Sequence, residues 1–278
     1  MSNPDVLSKR LFSALIMVPL VALSVLYLAP SGFAMLVMLV MLAAAWEWSA
    51  LVPLYTVPAR VSYLLVLVAA TAIAWYFARS EVFVNSLLWV TMAWWLFVLF
   101  WITRPALGSE ITSLHTTAKS VLGLALLVCA WLALVVLHSR PDQGSHWVLY
   151  VLVLVWIADS GAFFVGKAFG RNKLAPLVSP GKTWEGVLGA LGASALFAFG
   201  YAHFLDLQPP LFSSFILVSL VTVMFSIAGD LLESLLKRQR GVKDSGRLIP
   251  GHGGILDRID SLLAAAPVFV FGMRWIGL

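Results

Sequence analysis

Charge is scarce in this 278-residue chain: 11% of its residues are Asp, Glu, Lys or Arg, against 61% apolar. Soluble domains carry about 25% charged residues. The deficit excludes an ordinary water-soluble fold and points to lipid as the solvent. No polar stretch is long enough to form a separate soluble domain, so the chain reads as one membrane unit. Cysteine is nearly absent. The single Cys129 excludes an intramolecular disulfide and a cysteine-based metal site, and its apolar surroundings make it a small buried hydrophobe. There is no internal repeat, no low-complexity tract and no ten-residue alternation of a membrane barrel. A cleavable leader pattern is missing too, so the first helix is expected to be retained. The formal net charge of +5 would suggest nucleic acid in a soluble protein. In a membrane chain the placement of the charges matters more than their sum, and no nucleic-acid partner is expected.

What is present is a series of apolar runs. A spanning helix needs about 20 mostly apolar residues, and nine runs qualify: 11–29, 32–54, 61–78, 83–103, 120–138, 147–169, 183–205, 211–236 and 255–277. Backbone groups in hydrocarbon must bond within the segment, so these runs are helices. The expected fold is all-α, a polytopic integral membrane protein of about nine transmembrane helices. With the N-terminus in the cytoplasm, fifteen of the 18 Lys and Arg fall on the cytoplasmic side, and only Arg79, Arg140 and Arg274 on the other. That asymmetry satisfies the positive-inside rule. One missed or invented helix would scramble it. Residues 1–119 read as a helical scaffold, and residues 120–278 as catalytic helices with cytoplasmic loops at 167–183 and 237–258.

Acids are expensive in a bilayer, at least about 2.5–3.5 kcal/mol each near its centre. The later spans nonetheless carry Asp159, Glu185, Asp230, Glu233, Asp257 and Asp260, all toward the cytoplasmic ends on this topology. Asp230, Glu233, Ser234 and Lys237 fall on one helical face, and Asp257, Asp260 and Ser261 on another. Two acidic faces joined by about 20 residues can meet, and carboxylates across a small gap suit a hard cation, Mg²⁺ first. In the earlier spans the one acid is Glu47, placed either to buttress the site or to pair with a loop cation.

Two basic loops accompany these acids. The first holds Lys167, Arg171 and Lys173, then Ser179-Pro-Gly-Lys182-Thr183. Its Pro180 and Gly181 suit a turn into a helix N-terminus, whose free N–H groups attract anions. Ser179 and Thr183 add hydroxyls and Lys182 a charge. A P-loop is excluded, because the required glycine at 176 is Pro176 and no strand is expected before it. The second loop brings Lys237, Arg238, Arg240, Lys243 and Arg247, enough positive charge for a polyphosphate. Gly251, Gly253 and Gly254 permit close backbone approach to a ligand. His252, between glycines and beside the acids, reads as a phosphate donor or as a general acid for a leaving group, the first being favoured. The other histidines form no ligand spacing.

The segment from Ser234 to Asp260 resembles the signature of the phosphatidate cytidylyltransferases, or CDP-diacylglycerol synthases: S-x-x-K-R-x-x-x-x-K-D-S-G-x-x-x-P-G-H-G-G-x-x-D-R-x-D. Ala158-Asp159-Ser-Gly-Ala with Gly166-Lys167, and Ser179-Pro-Gly-Lys-Thr183 with Glu185-Gly186, are similar to further parts of that family. The resemblance spans roughly residues 156–267; the N-terminal half matches only in hydrophobic character. It implies conversion of CTP and phosphatidic acid to CDP-diacylglycerol and pyrophosphate by a membrane-integral, homodimeric enzyme; the short loops suggest a bacterial inner membrane, and the partition of Lys and Arg puts the site on its cytoplasmic face. It further implies Asp230 and Asp257 as principal ligands of a paired metal site with Mg²⁺ and a companion such as K⁺, and Asp260 as a further ligand or partner. Lys243, Asp244 and His252 join these acids as catalytic residues. Asp159, Lys167, Ser179, Lys182, Thr183, Lys237, Arg238 and Arg258 are expected to bind substrate.

The residues suit that chemistry. A lipid phosphate is already an oxyanion and needs no base; the barrier is bringing two anions together, which metals and cationic clamps relieve. A transporter would place its acids near the midplane between repeats, and a CDP-alcohol phosphotransferase would end its motif in D-x-x-x-D, where this chain has Asp257-x-x-Asp260.

Overall fold

The computed structural model describes residues 4–141, 143–246, 248 and 253–278, with side chains described from Leu15 onward. Nine helices run through these residues: α1 (Pro4–Tyr27), α2 (Pro30–Leu51), α3 (Val57–Phe77), α4 (Glu81–Ile102), α5 (Ser113–His138), α6 (Gly144–Phe169), α7 (Trp184–Phe204), α8 (Leu211–Arg240) and α9 (Leu256–Trp275). They match the nine apolar runs closely. Seven of them, α2 to α8, are long and apolar enough to cross a membrane. The ninth is shorter in apolar content because Asp257, Arg258, Asp260 and Arg274 lie on it. The chain is a multi-pass membrane protein.

Two boundaries differ from expectation. The first basic loop contains a short antiparallel hairpin, β1 (Lys173–Ala175) and β2 (Ser179–Thr183), where only loop was expected. Its turn lies at residues 176–178, so Pro180 and Gly181 sit in the returning strand and do not form the expected turn into the helix. The second loop is shorter than 237–258, because α8 continues through Arg240 and α9 begins at Leu256. Helix propensity explains this: Lys, Arg, Gln and Leu are good helix formers, and cations in the last turn of α8 oppose its dipole.

Local chemistry fixes the helix ends. Thr56, Ser80, Thr112 and Thr183 each cap a helix by accepting a backbone N–H with the side-chain oxygen. Gly241, at φ 74°, ends α8 in the left-handed region.

Small residues bring the later helices together, as packing in lipid requires. Gly161 of α6 and Gly189 of α7 face one another so closely that a Cβ on either would meet the other's carbonyl oxygen at 2.6 Å. Gly229 of α8 lies against the Asp260 carbonyl of α9, where a Cβ would fall at 2.5 Å. Toward the other end of these helices Tyr150 stacks among Phe197, Tyr201, Phe215 and Phe269, and its hydroxyl meets Ser219 Oγ at 2.7 Å. Helices α6 to α9 are thus pinned by glycines near one end and aromatics near the other. Replacing Gly229 by Val is expected to cost about 1–3 kcal/mol by overpacking. Thermal unfolding in detergent reads it as a lowered midpoint, with Gly192→Ala, in open space, as the unaffected control.

The hydrogen bonds sort the bundle into two ends. At one end Arg60 donates to Ser49 Oγ and to the Trp46 carbonyl, Trp48 Nε1 to the Lys119 carbonyl, and Gln239 to the Pro105 and Leu107 carbonyls. At the other, Arg274 pairs with Glu81 at 2.6 Å and with Asn85 at 2.9 Å. Helices α2, α6 and α8 end where α7 and α9 begin, which gathers the acids at the first of these ends.

Candidate active site

The last turns of α8 carry Asp230, Glu233, Ser234 and Lys237 along one face, as their spacing requires. Lys237 Nζ lies 2.8 Å from Glu233 Oε2 and 2.7 Å from Asp257 Oδ1 on α9. One ammonium therefore joins the two acidic helices. The second Asp257 oxygen is equally committed: Oδ2 accepts from Ser245 N at 3.1 Å, Ser245 Oγ at 2.9 Å and Gly254 N at 2.9 Å. Asp257 thereby holds both ends of the loop between α8 and α9. Gly253, at φ 84°, supplies the turn that aims the Gly254 N–H inward. One turn further along α9, Asp260 faces both Asp230 and Glu233.

A second layer comes from α6 and the hairpin. Lys182 on β2 reaches Asp230 Oδ2 at 2.7 Å, while Ser234 Oγ donates to Asp230 Oδ1 at 3.3 Å. Asp159 on α6 faces Asp230, Lys182 and Arg258. The hairpin is held from two sides. Arg238 Nε donates to the Val178 carbonyl at 3.2 Å. Glu185 accepts from the backbone N–H groups of Arg171 and Asn172 and from Asn172 Nδ2 at 2.7 Å, fixing the turn that follows α6.

The structure brings Asp159, Lys182, Asp230, Lys237, Asp257, Arg258 and Asp260 to one place. It gives several of them partners other than those expected. Lys182 and Lys237, read as anion holders, hold carboxylates here. Thr183 is buried, and its hydroxyl is used to cap α7 by accepting from Gly186 N at 3.1 Å. Lys167 sits on the last turns of α6 over the Phe163 ring, and not in a loop. Ser179 opens β2. Lys243 and Asp244 are exposed on the α8–α9 loop. His252 and Arg247 lie outside the described residues. Glu185 clamps a turn and does not join the acidic cluster.

Sequence reasoning left Glu47 open, and geometry gives it a place. Its side chain, 3% exposed, comes from α2 and accepts from Leu256 N at 2.8 Å and Ser245 Oγ at 3.2 Å. The half read as scaffold thus reaches the site. The signal was available: an acid in an otherwise apolar helix needs a specific partner.

A metal can be weighed against these residues. Among the described residues no three His, Cys, Asp or Glu stand together as a metal cage. Mg²⁺ does not need one, since it is commonly held by one or two carboxylates, with substrate phosphates and water completing its shell. Five carboxylates (Asp159, Asp230, Glu233, Asp257 and Asp260) share this end with Lys182, Lys237 and Arg258. Glu233 Oε1 is buried with no hydrogen-bond partner. Hard oxygen donors in excess of cations, one of them unsatisfied, fit a hard divalent ion.

The model of the cytidylyltransferase family matches residues 8–276. A phosphatidate cytidylyltransferase of Haemophilus influenzae is 36% identical, the alignment covering 95% of this chain and 98% of that protein. One from Pseudomonas aeruginosa is 39% identical over 95% of each. A Staphylococcus aureus phosphatidate cytidylyltransferase is 43% identical over 47% of this chain and 50% of its own length. With the match running through nearly every helix, and not only through the acidic ones, the chain belongs to the cytidylyltransferase family.

Proposed function

We propose that this protein transfers CMP from CTP to phosphatidic acid, releasing pyrophosphate and leaving CDP-diacylglycerol in the membrane. The observation that carries the reading is the cluster of acids and lysines at one end of the bundle, in a family whose full-length relatives bear that activity in their names. An oxygen of the lipid phosphate forms a bond to the α-phosphorus of CTP, and the bond from that phosphorus to the α–β bridging oxygen breaks. The electron pair leaves with pyrophosphate. The attacking oxygen is already anionic, so no side chain need take its proton.

The work of the protein is to place two polyanions in line and offset their charge. Asp230 and Asp257 would hold Mg²⁺, with Asp260 beside them and a monovalent companion such as K⁺. When bound, a divalent cation supplies positive charge to the triphosphate and to departing pyrophosphate. Lys182 and Lys237 are then free to turn from carboxylate to phosphate, since each is a flexible ammonium able to exchange one oxygen partner for another. Lys243, on the exposed loop, adds charge at the water-facing rim. The lipid phosphate approaches from the headgroup layer, so the site belongs at an interface and not at the midplane. CTP is a cytosolic solute, and the excess of Lys and Arg at this end is the positive-inside signature. The site is therefore assigned to the cytoplasmic face of a bacterial inner membrane.

Purified protein in detergent, given labelled CTP, phosphatidic acid and Mg²⁺, is expected to form a lipid-soluble nucleotide and one pyrophosphate per turnover. Omission of the lipid or chelation of Mg²⁺ should abolish it. Absence of a labelled lipid under saturating substrates would overturn the assignment.

A further inference from the structure

We propose that Glu47 is a positioning residue: a carboxylate from α2 that anchors the α8–α9 loop and so sets where Asp257 presents its oxygens. The inference rests on the cytidylyltransferase reading for its catalytic consequence, and on geometry for the anchoring.

Glu47 Oε2 accepts from the Leu256 N–H, the first residue of α9, and from Ser245 Oγ. A carboxylate at a helix N-terminus satisfies a donor that the helix itself leaves open, and it meets the positive end of the dipole. This one comes from another helix, about 200 residues earlier in the chain. Ser245 is the link. Its hydroxyl stands 3.2 Å from Glu47 Oε2 and 2.9 Å from Asp257 Oδ2, and its N–H also donates to Asp257. With a single proton on that hydroxyl, the two carboxylates share one donor. Moving Glu47 therefore moves Ser245, and moving Ser245 moves Asp257.

The loop is shaped around this side chain. A Cβ on Gly246 would collide with Glu47 Oε1, and a Cβ on Gly254 would collide with Glu47 Oε2 and Ser245 Oγ. Two glycines of the loop motif thus answer to an acid far outside it. Glu47 has no cation partner among the described ion pairs. An ion-pair role, the second option raised by the sequence, finds no support.

Glu47→Ala removes the anchor, and Glu47→Gln keeps an oxygen that can accept both bonds. Two readouts are taken on detergent-purified protein: turnover, and the rate of tryptic cleavage after the exposed Lys243 relative to cleavage after the exposed Arg79 in the loop between α3 and α4, at the other end of the bundle. For Glu47→Ala we expect turnover to fall about 100-fold, as misplacement by an ångström can cost, and the cleavage ratio to rise about tenfold as the loop opens locally. Glu47→Gln should keep at least a third of wild-type turnover and the wild-type cleavage ratio. Loss of turnover in Glu47→Ala with an unchanged cleavage ratio would overturn the anchoring role, as would unchanged turnover. Should Glu47→Ala fail to fold, Glu47→Gln decides. Retained turnover at a wild-type ratio supports the role, and a 100-fold loss at that ratio overturns it by showing that charge, not anchoring, matters. If the wild-type protein makes no liponucleotide, the functional reading fails, while the cleavage ratios still test the anchor.

Discussion

Replacing Asp257 by Asn is expected to lower liponucleotide formation by about 1000-fold, at the upper end of what losing one electrostatic contact costs a phosphoryl- or acyl-transfer site. The geometry explains why so small a change is so damaging. Asp257 uses one oxygen for the Lys237 ammonium and the other for three donors from Ser245 and Gly254. An amide has one acceptor and one donor group. In one orientation its NH₂ faces an ammonium; in the other it faces two N–H groups and a hydroxyl. Neither reproduces the carboxylate, and neither offers a charged oxygen to a metal. Asp230→Asn meets the same difficulty between Lys182 and Ser234. Both variants should still insert and elute as folded protein, because the helix contacts at Gly229 and around Tyr150 are untouched. Initial rates with saturating CTP, phosphatidic acid and Mg²⁺ check this. More than a tenth of wild-type turnover in either variant would remove that acid from the reaction.

Much of this site was legible in the sequence, and the reason is the solvent. In lipid every acid is conspicuous, so hydropathy alone isolates Asp159, Asp230, Glu233, Asp257 and Asp260. Helical spacing then puts Asp230, Glu233 and Lys237 on one face without any tertiary information. The helices were legible for a related cause: apolar runs of fixed length leave few choices of boundary. Three things were not legible. The β1–β2 hairpin lies in a short polar segment whose pairing depends on Arg238 reaching Val178 and on Glu185 reaching back to residues 171 and 172. The engagement of Lys182 and Lys237 by carboxylates was hidden because a cation in a loop motif fits an acid and a phosphate equally well. The choice between the two roles open to Glu47 was hidden because its donors, Leu256 N–H and Ser245 Oγ, lie about 200 residues away, and one is a backbone group that no side-chain pattern reveals.

Lys237→Met is the test that separates the two tasks of the central ammonium. The side chains of Lys237, Glu233 and Asp257 are 14%, 3% and 9% exposed, so their charges are largely withdrawn from water. Methionine keeps the apolar stem and removes the charge. Two carboxylates then face each other with no cation between them, and breaking a buried pair in this way costs about 3–5 kcal/mol. A clear drop in the thermal midpoint in detergent is expected, with turnover lost. Adding Glu233→Gln to that variant removes the charge that faces Asp257 and Asp260. Asp257 keeps Ser245 and Gly254. The double variant should therefore regain more than half of the lost stability, since deleting both members of a buried pair is far less costly than deleting one. Turnover should not return with it, because the ammonium that would meet the triphosphate is still gone. A double variant that recovers both stability and turnover would confine Lys237 to holding α8 against α9. A single variant with an unchanged midpoint would mean that Asp257 and Glu233 do not need the lysine at all.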